Sequence, residues 1–255
     1  MQFPSSFISP DRGGVLCLVG SGGKTSLMFA LAAFLAGQGK RVLSTTTTRI
    51  RPPGPQQSPL CACAKDPLQW LQSRSQADLP AHVTLAADHE PDRVKLVGYD
   101  PETIDRLGRS GLFHWILAEA DGAAGRPLKA PGPGEPVISP GSDHVVGVVG
   151  LDGVWDQLTE DNVFRCTEYS ALSGIPQGDA VTPEGAGRVV TDKLGLFRGT
   201  PEGAKRIVLL NKAESADRRS AGHAMAEVVT LVGLKVFLGS LRQGWLEGVQ
   251  GNIHD

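Results

Sequence analysis

The chain has 255 residues, with 25 Lys and Arg against 27 Asp and Glu and a formal charge of −2. That length suits one large α/β domain or two small ones, and the balanced charge makes nucleic acid an unexpected partner. No apolar run reaches the length of a membrane span, Met1–Pro10 has neither region of a signal peptide, and 4 cysteines do not form a disulfide scaffold. A soluble cytoplasmic protein without membrane or nucleic-acid partners is the expectation.

Val15–Val19 is a short apolar run of the buried parallel-strand type, and it leads into Gly20-Ser21-Gly22-Gly23-Lys24-Thr25. From Ser26 to Leu35, apolar residues recur at Leu27, Ala30, Leu31, Phe34 and Leu35, which is helical spacing. Strand, glycine loop and helix together make a phosphate-site hypothesis. The glycines let backbone N–H groups turn inward, and the helix N-terminus adds orphan donors and partial positive charge. Gly20 through Ser26 are therefore the expected nucleotide contacts. Lys24 is expected to reach the terminal phosphates from a solvent-facing position, and the Thr25 hydroxyl to hold Mg²⁺. The longer form of this motif has a glycine at the position of Leu18. The short loop that remains resembles that of Mur-type ligases.

After the helix-stop signal Gly37–Lys40, Arg41–Thr46 reads as the second strand and runs into Thr45–Thr48. Ligands sit at the carboxyl ends of strands in open α/β sheets. Thr46 and Thr47 are thus candidates to line the site, although strand propensity alone also accounts for threonine there. Arg51–Pro59, rich in Pro, Gln and Ser, reads as a mobile loop or lid, closed by Cys61-Ala62-Cys63. That spacing lacks a second ligand pair for zinc, leaving a structural role or a thiol that handles sulfur or selenium. Asp66–Ser75 reads as a short helix. Val83–Ala87 and Val94–Tyr99 read as strands joined by a hairpin turn at Asp88–Pro91. Pro101–Leu107 reads as a helix capped by Asp100.

Trp115–Ala118 is an apolar strand ending in Glu119-Ala120-Asp121. Alternation projects Glu119 and Asp121 to one side, which suits a magnesium ion and an attacking water beside a phosphate loop. Lys24, Glu119 and Asp121 are the candidate catalytic residues, with Thr25 and Asp121 as the metal ligands. Ala123–Pro140 has too many prolines for a helix. Within it, Arg126 and Lys129 are candidate phosphate or substrate contacts, or members of a solvated loop. His144–Val149 reads as a strand, and Asp161–Ser173 holds a short helix with Arg165 near its start. Thr182–Lys193 is a capped helix, and Ile207–Leu210 is a strand that ends in Asn211-Lys212-Ala213-Glu214. Asn-Lys-x-Asp reads guanine in GTPases. Here Glu214 replaces the Asp, so Asn211, Lys212 and Glu214 are candidate base contacts and GTP is only slightly preferred to ATP. A helix over Ala221–Val232 and a strand over Val236–Leu238 complete the sheet. The expected fold is α/β and P-loop NTPase-like, a mostly parallel sheet with helices on both faces, in one domain spanning 1–255.

Taken together, the loop Gly20–Thr25, the strand Val42–Thr48, the block Glu119-Ala-Asp-Gly-Ala-Ala-Gly-Arg-Pro-Leu-Lys-Ala-Pro131, Glu135–Ile138 and Leu209–Lys212 resemble the YqeC-type family of selenium-dependent hydroxylase accessory proteins. The resemblance covers roughly residues 13 to 240. It implies a nucleotide-binding accessory protein that aids maturation of selenium-dependent molybdenum hydroxylases, with such an enzyme or its cofactor pathway as partner. Two positions depart from the pattern. Phe164 stands where a His-Arg pair is expected, and Pro131–Gly134 lacks a His before Glu135. A small-molecule ligase or kinase, and a non-catalytic nucleotide-binding module, remain as alternative readings.

Overall fold

The computed structural model describes residues 1–75 and 77–250. The first half of the chain forms β1 (Gly14–Gly20), α1 (Lys24–Gly37), β2 (Val42–Thr46), β3 (Arg49–Ile50), β4 (Leu60–Cys63), α2 (Pro67–Gln72), β5 (His82–Ala86), β6 (Asp88–Glu90), β7 (Lys95–Val97), α3 (Pro101–Arg109) and β8 (Trp115–Glu119). The second half adds β9 (Leu128–Lys129), β10 (His144–Gly150), β11 (Val163–Phe164), α4 (Cys166–Ser173), α5 (Pro183–Thr191), β12 (Lys205–Asn211), α6 (Ala216–Thr230), β13 (Lys235–Ser240) and β14 (Trp245–Val249).

One sheet organises these elements, with strand order β14-β13-β12-β10-β1-β8-β2-β5-β4. All neighbouring pairs are parallel except β13 with β14. β1 is flanked by β8 on one side and β10 on the other. From β1 the chain passes to β2 and on to the edge strand β4, returns inward through β5 and β8, and crosses β1 to continue on the far side through β10, β12 and β13. β1 therefore marks the reversal of winding, where an open α/β sheet leaves a crevice at its carboxyl edge.

Side-chain alternation divides the core between the two faces. Leu16 and Leu18 of β1, Leu117 of β8 and Val146 and Val148 of β10 pack against Leu27, Met28, Leu31 and Leu35 of α1. The N-terminal segment adds Phe3, Phe7 and Ile8 to that side. Val15, Cys17 and Val19 face the opposite way, onto a core that includes Ile104 and Leu107 of α3, Val189 of α5 and Met225 of α6. Helices thus cover both faces. In α1 the buried set is wider than the spacing suggests: Phe29 and Ala32 are also buried, while Ala30 and Phe34 are only partly so. A helix packed between a sheet and an N-terminal segment has apolar neighbours on more than one side.

Several boundaries differ from expectation. Asp88–Glu90 is itself a strand, paired antiparallel with β7, and the turn falls at Pro91–Arg93 instead. Residues 51–59 form no helix or strand; they run between Arg49–Ile50, which pairs with β7, and Leu60–Cys63, which extends the main sheet as its edge strand. β13 does not finish the sheet either, since Trp245–Val249 adds an antiparallel edge. Arg165 precedes α4 as its N-cap, with φ of 67°. The Asp66, Asp100, Thr182 and Ser215 side chains accept from backbone N–H groups at the starts of α2, α3, α5 and α6. Among the described residues, no helix is long and apolar enough to cross a membrane.

Candidate functional site

Residues 20–23 turn the chain from β1 into α1. Leu18, where the longer motif has a glycine, lies inside β1 opposite Val146 and Glu119 and is fully buried. The strand therefore occupies the stretch that the longer loop would use. Gly22 has φ of 75°, and a Cβ there would lie 2.3 Å from Gly150 Cα at the end of β10. At Gly23, with φ of 136°, a Cβ would lie 2.4 Å from Asn211 Nδ2. Both positions need glycine for backbone conformation and for space. The loop is pinned from outside: the Ser21 hydroxyl donates to Pro127 O at 2.7 Å, and Asn211 Nδ2 donates to Gly22 O at 2.8 Å.

No side chain caps the N-terminus of α1, and its first turn carries no acid. It contrasts with the four side-chain-capped helices. The first-turn N–H groups and the dipole at Lys24–Leu27 therefore lack the usual internal counter-group, the electrostatic requirement of an anion site.

Lys24, Thr25, Glu119 and Asp121 come together at the carboxyl ends of β1 and β8. Lys24 Nζ donates to Gly20 O at 2.5 Å and lies 3.2 Å from Asp121 Oδ1 and 3.6 Å from Glu119 Oε1. The Thr25 hydroxyl donates to Glu119 Oε2 at 2.7 Å. Contrary to the solvent-facing position expected for it, Lys24 is only 5% exposed. Burial opposes its charge, but Asp121 and Glu119 outweigh burial and hold its pKa above the usual lysine value. Burial pushes the Glu119 carboxyl up, more than Lys24 and Thr25 draw it down.

Asp121 also connects the loop to a second set of charges. Gly20 N donates to its Oδ2 at 3.0 Å, and Lys129 Nζ donates to the same oxygen at 2.9 Å. Lys129 donates in turn to Glu135 Oε2 at 2.9 Å. Arg165 grips Glu135 with two hydrogen bonds of 2.6 and 2.9 Å. Charges thus alternate from Lys24 through Asp121, Lys129 and Glu135 to Arg165. Glu135 is partly desolvated, which raises its pKa, but Arg165 and Lys129 outweigh that and bring it down to about 2. Phe164, standing where a histidine was expected, places its ring 4.8 Å from the Arg165 guanidinium. An aromatic face there supports the cation without competing for its hydrogen bonds.

The threonines are close to this cluster but committed to backbone acceptors. Thr46, paired with Glu119 across β2 and β8, donates to Glu119 O at 2.7 Å, and Thr47 donates to Val137 O at 2.7 Å. Arg126 turns away from the cluster: its Nε donates to Glu160 O and its Nη2 lies 3.8 Å from Asp161. Of the two candidate contacts on this segment, Lys129 joins the cluster and Arg126 does not. An arginine three residues before Lys129, on a segment that bends at Pro127, need not share its direction.

Beside α1, a cavity of 430 Å³ is lined by Gly23, Ser26, Asp152, Lys212, Glu214 and Arg218, among others. Asn211 serves the loop more than the cavity, since its Oδ1 also accepts from Leu241 N at 3.1 Å. Lys212, with φ of 69°, donates to Asp152 Oδ2 at 2.6 Å. Glu214 accepts from Arg218 and Ser240 at 3.0 and 2.8 Å. Asp152 was missed by the sequence reading, although an acid just past the apolar strand β10 carries the same signal as Glu119 and Asp121. The Glu135–Arg165 grip was also missed, as nothing local links residues 30 positions apart. Cys61 and Cys63 are exposed on edge strand β4, away from this cluster. Burial raises both thiol pKa values, with the neighbouring thiol adding for Cys61 and Asp88 for Cys63. Among the described residues, no group of three or more His, Cys, Asp or Glu side chains forms a metal site.

The family described as YqeC protein matches residues 16–167, which contain the glycine loop, Glu119, Asp121, Lys129, Glu135 and Arg165. The chain belongs to the YqeC family. It is 32% identical over 211 residues to the Escherichia coli (strain K12) protein named "Uncharacterized protein YqeC", covering 82% of this chain and 80% of that one. Solved structures with similarity include signal recognition particle 54 kDa protein from Aeropyrum pernix K1 in complex with GDP, at TM-score 0.45 and 18% identity. FtsY from Mycoplasma mycoides is similar at TM-score 0.44 and 13% identity. The chain spans 44% of the first of these and 64% of the second. The YqeC match ends before Asn211–Glu214, so within this family the matched region holds the phosphate-loop end and the charge network but not the cavity beside α1.

Proposed function

We propose that this YqeC-family chain binds a nucleoside triphosphate with Mg²⁺ and hydrolyses it, and that it acts in the maturation of selenium-dependent molybdenum hydroxylases in the cytoplasm. The observation that carries the nucleotide part is the convergence of Lys24 and Thr25 on Glu119 and Asp121 beneath an uncapped helix N-terminus. Backbone donors of residues 21–25 receive the phosphates, and Lys24 exchanges part of its contact with Gly20 O and the carboxylates for phosphate oxygens.

The donor set suits magnesium, which takes hard oxygens and few protein ligands. Asp121 Oδ1 is buried, accepts no hydrogen bond and faces Lys24 Nζ at 3.2 Å, and the Thr25 hydroxyl, which donates a hydrogen bond to Glu119, keeps its lone pairs. These two oxygens would hold the metal, which supplies charge neutralisation at the terminal phosphates. Glu119, its pKa raised by burial, orients the attacking water and accepts its proton. Ser26, Lys212 and Glu214 face the cavity that takes the base.

The maturation role rests on the family resemblance, an associational warrant. A second reading is favoured by the Lys129–Glu135–Arg165 group beside Asp121: transfer of the γ-phosphoryl group to a small acceptor held there. A phosphate-release assay with and without candidate acceptors tests both. Release that needs no acceptor supports hydrolysis, loss of free phosphate in favour of a phosphorylated acceptor supports transfer, and no turnover of any triphosphate rejects both.

A further inference from the structure

At the opposite pole of the sheet, by the amino-terminal ends of β10, β12 and β13, lies a cleft that the nucleotide reading does not use. Two adjoining cavities, of 610 and 520 Å³, share Arg12, His144 and Lys205. The second adds Arg206 and Lys235, and its described lining contains no carboxylate. None of these four cations forms an ion pair among the described residues. Strand register explains the gathering: His144 stands opposite Lys205, and Lys235 opposite Ile207.

His144 is 8% exposed, its Nδ1 is buried without a hydrogen-bond partner, and its ring packs 5.5 Å from that of Trp115. The first cavity also carries two carboxylates, Glu202 and Asp143, and Asp143 accepts from Val15 N at 2.8 Å. Ser5 and Ser6 contribute hydroxyls to the second cavity, and the buried Phe7 and Ile8 give it an apolar wall.

We propose that this cleft binds a small organic phosphate ester. Four cations that form no ion pair among the described residues and share a cavity whose lining has no carboxylate repel one another, and an anion relieves that repulsion. Guanidinium, ammonium and hydroxyl donors together match a phosphate group. The cavity lies in the ordinary range for small ligands, about 300–1,000 Å³, and Phe7 and Ile8 supply the surface for the organic part. His144 is a built-in reporter. Burial and Lys205 hold its pKa below the usual histidine value, Asp143 opposes them, and Arg12 adds to the lowering. A bound anion draws it upward.

The test is NMR of the full chain, following the His144 imidazole during titration with phenyl phosphate and, separately, inorganic phosphate. Phenyl phosphate is expected to shift the His144 signals and raise its pKa, and to bind more tightly than inorganic phosphate. In Lys205→Gln/Lys235→Gln its affinity is expected to fall about tenfold or more, the effect of losing charge-assisted hydrogen bonds, with the unfolding midpoint unchanged. Anion captured at the glycine loop would instead move the Gly22 and Gly23 amides, which separates this proposal from the nucleotide site. His144 signals that do not respond, or that respond equally in the double variant, overturn the proposal. So does equal affinity for the ester and inorganic phosphate, or binding of a short RNA with no response to phenyl phosphate.

Discussion

Replacing Asp121 with Asn probes the joint between the loop and the charge network. The side chain is 1% exposed and contacts Lys24 at 3.2 Å, Lys129 at 2.9 Å and Gly20 N at 3.0 Å. Asp121→Asn preserves the volume and the acceptor for Gly20 but removes the negative charge between two buried ammonium groups. Removing one partner of a buried ion pair costs about 3–5 kcal/mol. Lys24 retains Glu119 at 3.6 Å and Lys129 retains Glu135 at 2.9 Å, so the low end applies, about 3 kcal/mol. For a chain of this size that corresponds to a fall in Tm of roughly 6–12 °C. Urea unfolding and calorimetry measure it, with Arg126→Gln as the exposed control, expected within about 0.5 kcal/mol of wild type. The double variant Asp121→Asn/Lys129→Met is expected to recover part of the loss, because it removes a buried ammonium that has lost one of its two carboxylate partners. A cost for Asp121→Asn no larger than that of Arg126→Gln would refute the claim that these charges act as one network.

Glu119→Gln is expected to lower phosphate release more than nucleotide affinity, measured by turnover and equilibrium binding. Glu135, with its folded pKa brought from 4.5 to about 2, stabilises the fold fully above pH ~4.5. That contribution is lost as pH falls from there through about 2, so Glu135→Gln is expected to flatten the acid limb of a stability profile. His82, buried and lowered from 6.5 to about 4, is neutral in the folded state. Stability is accordingly expected to drop as pH falls from about 6.5 toward 4, and His82→Asn to diminish that drop in urea titrations over the same range. For base preference, competition of GTP and ATP against a fluorescent nucleotide is expected to favour GTP in wild type and to lose that bias in Glu214→Ala. Glu214 accepts from Arg218 and Ser240, so an unbiased wild type would assign it to that local pairing instead.

The parts of the fold legible in the sequence are those with a local cause. Val15–Val19, the three glycines and the apolar spacing of Ser26–Leu35 announce strand, loop and helix because alternation, positive φ and helical periodicity are short-range properties. Asp100 and Thr182 mark helix starts for the same reason. The edges were harder to read. β4 is Leu-Cys-Ala-Cys, half-exposed with one neighbour, and β14 carries Glu and Gly within its 5 residues. Edge strands with solvated side chains lack the apolar run that identifies a central strand. At the site, Glu119 and Asp121 follow from period two, whereas the contact of Lys129 with Asp121 does not. That arrangement depends on a 128–129 strand and on Arg165 reaching Glu135 from β11's end, contacts made only by tertiary folding.

The central claim is most directly tested by isothermal titration of non-hydrolysable GTP and ATP analogues, with Mg²⁺ and with EDTA, into wild type, Lys24→Ala and Thr25→Val, each first shown to be folded by circular dichroism. The account predicts saturable binding of at least one analogue to wild type, weakened about tenfold or more by Lys24→Ala and deprived of its Mg²⁺ dependence by Thr25→Val. No binding heat or competition with either analogue, or affinity unchanged in folded Lys24→Ala, would contradict it.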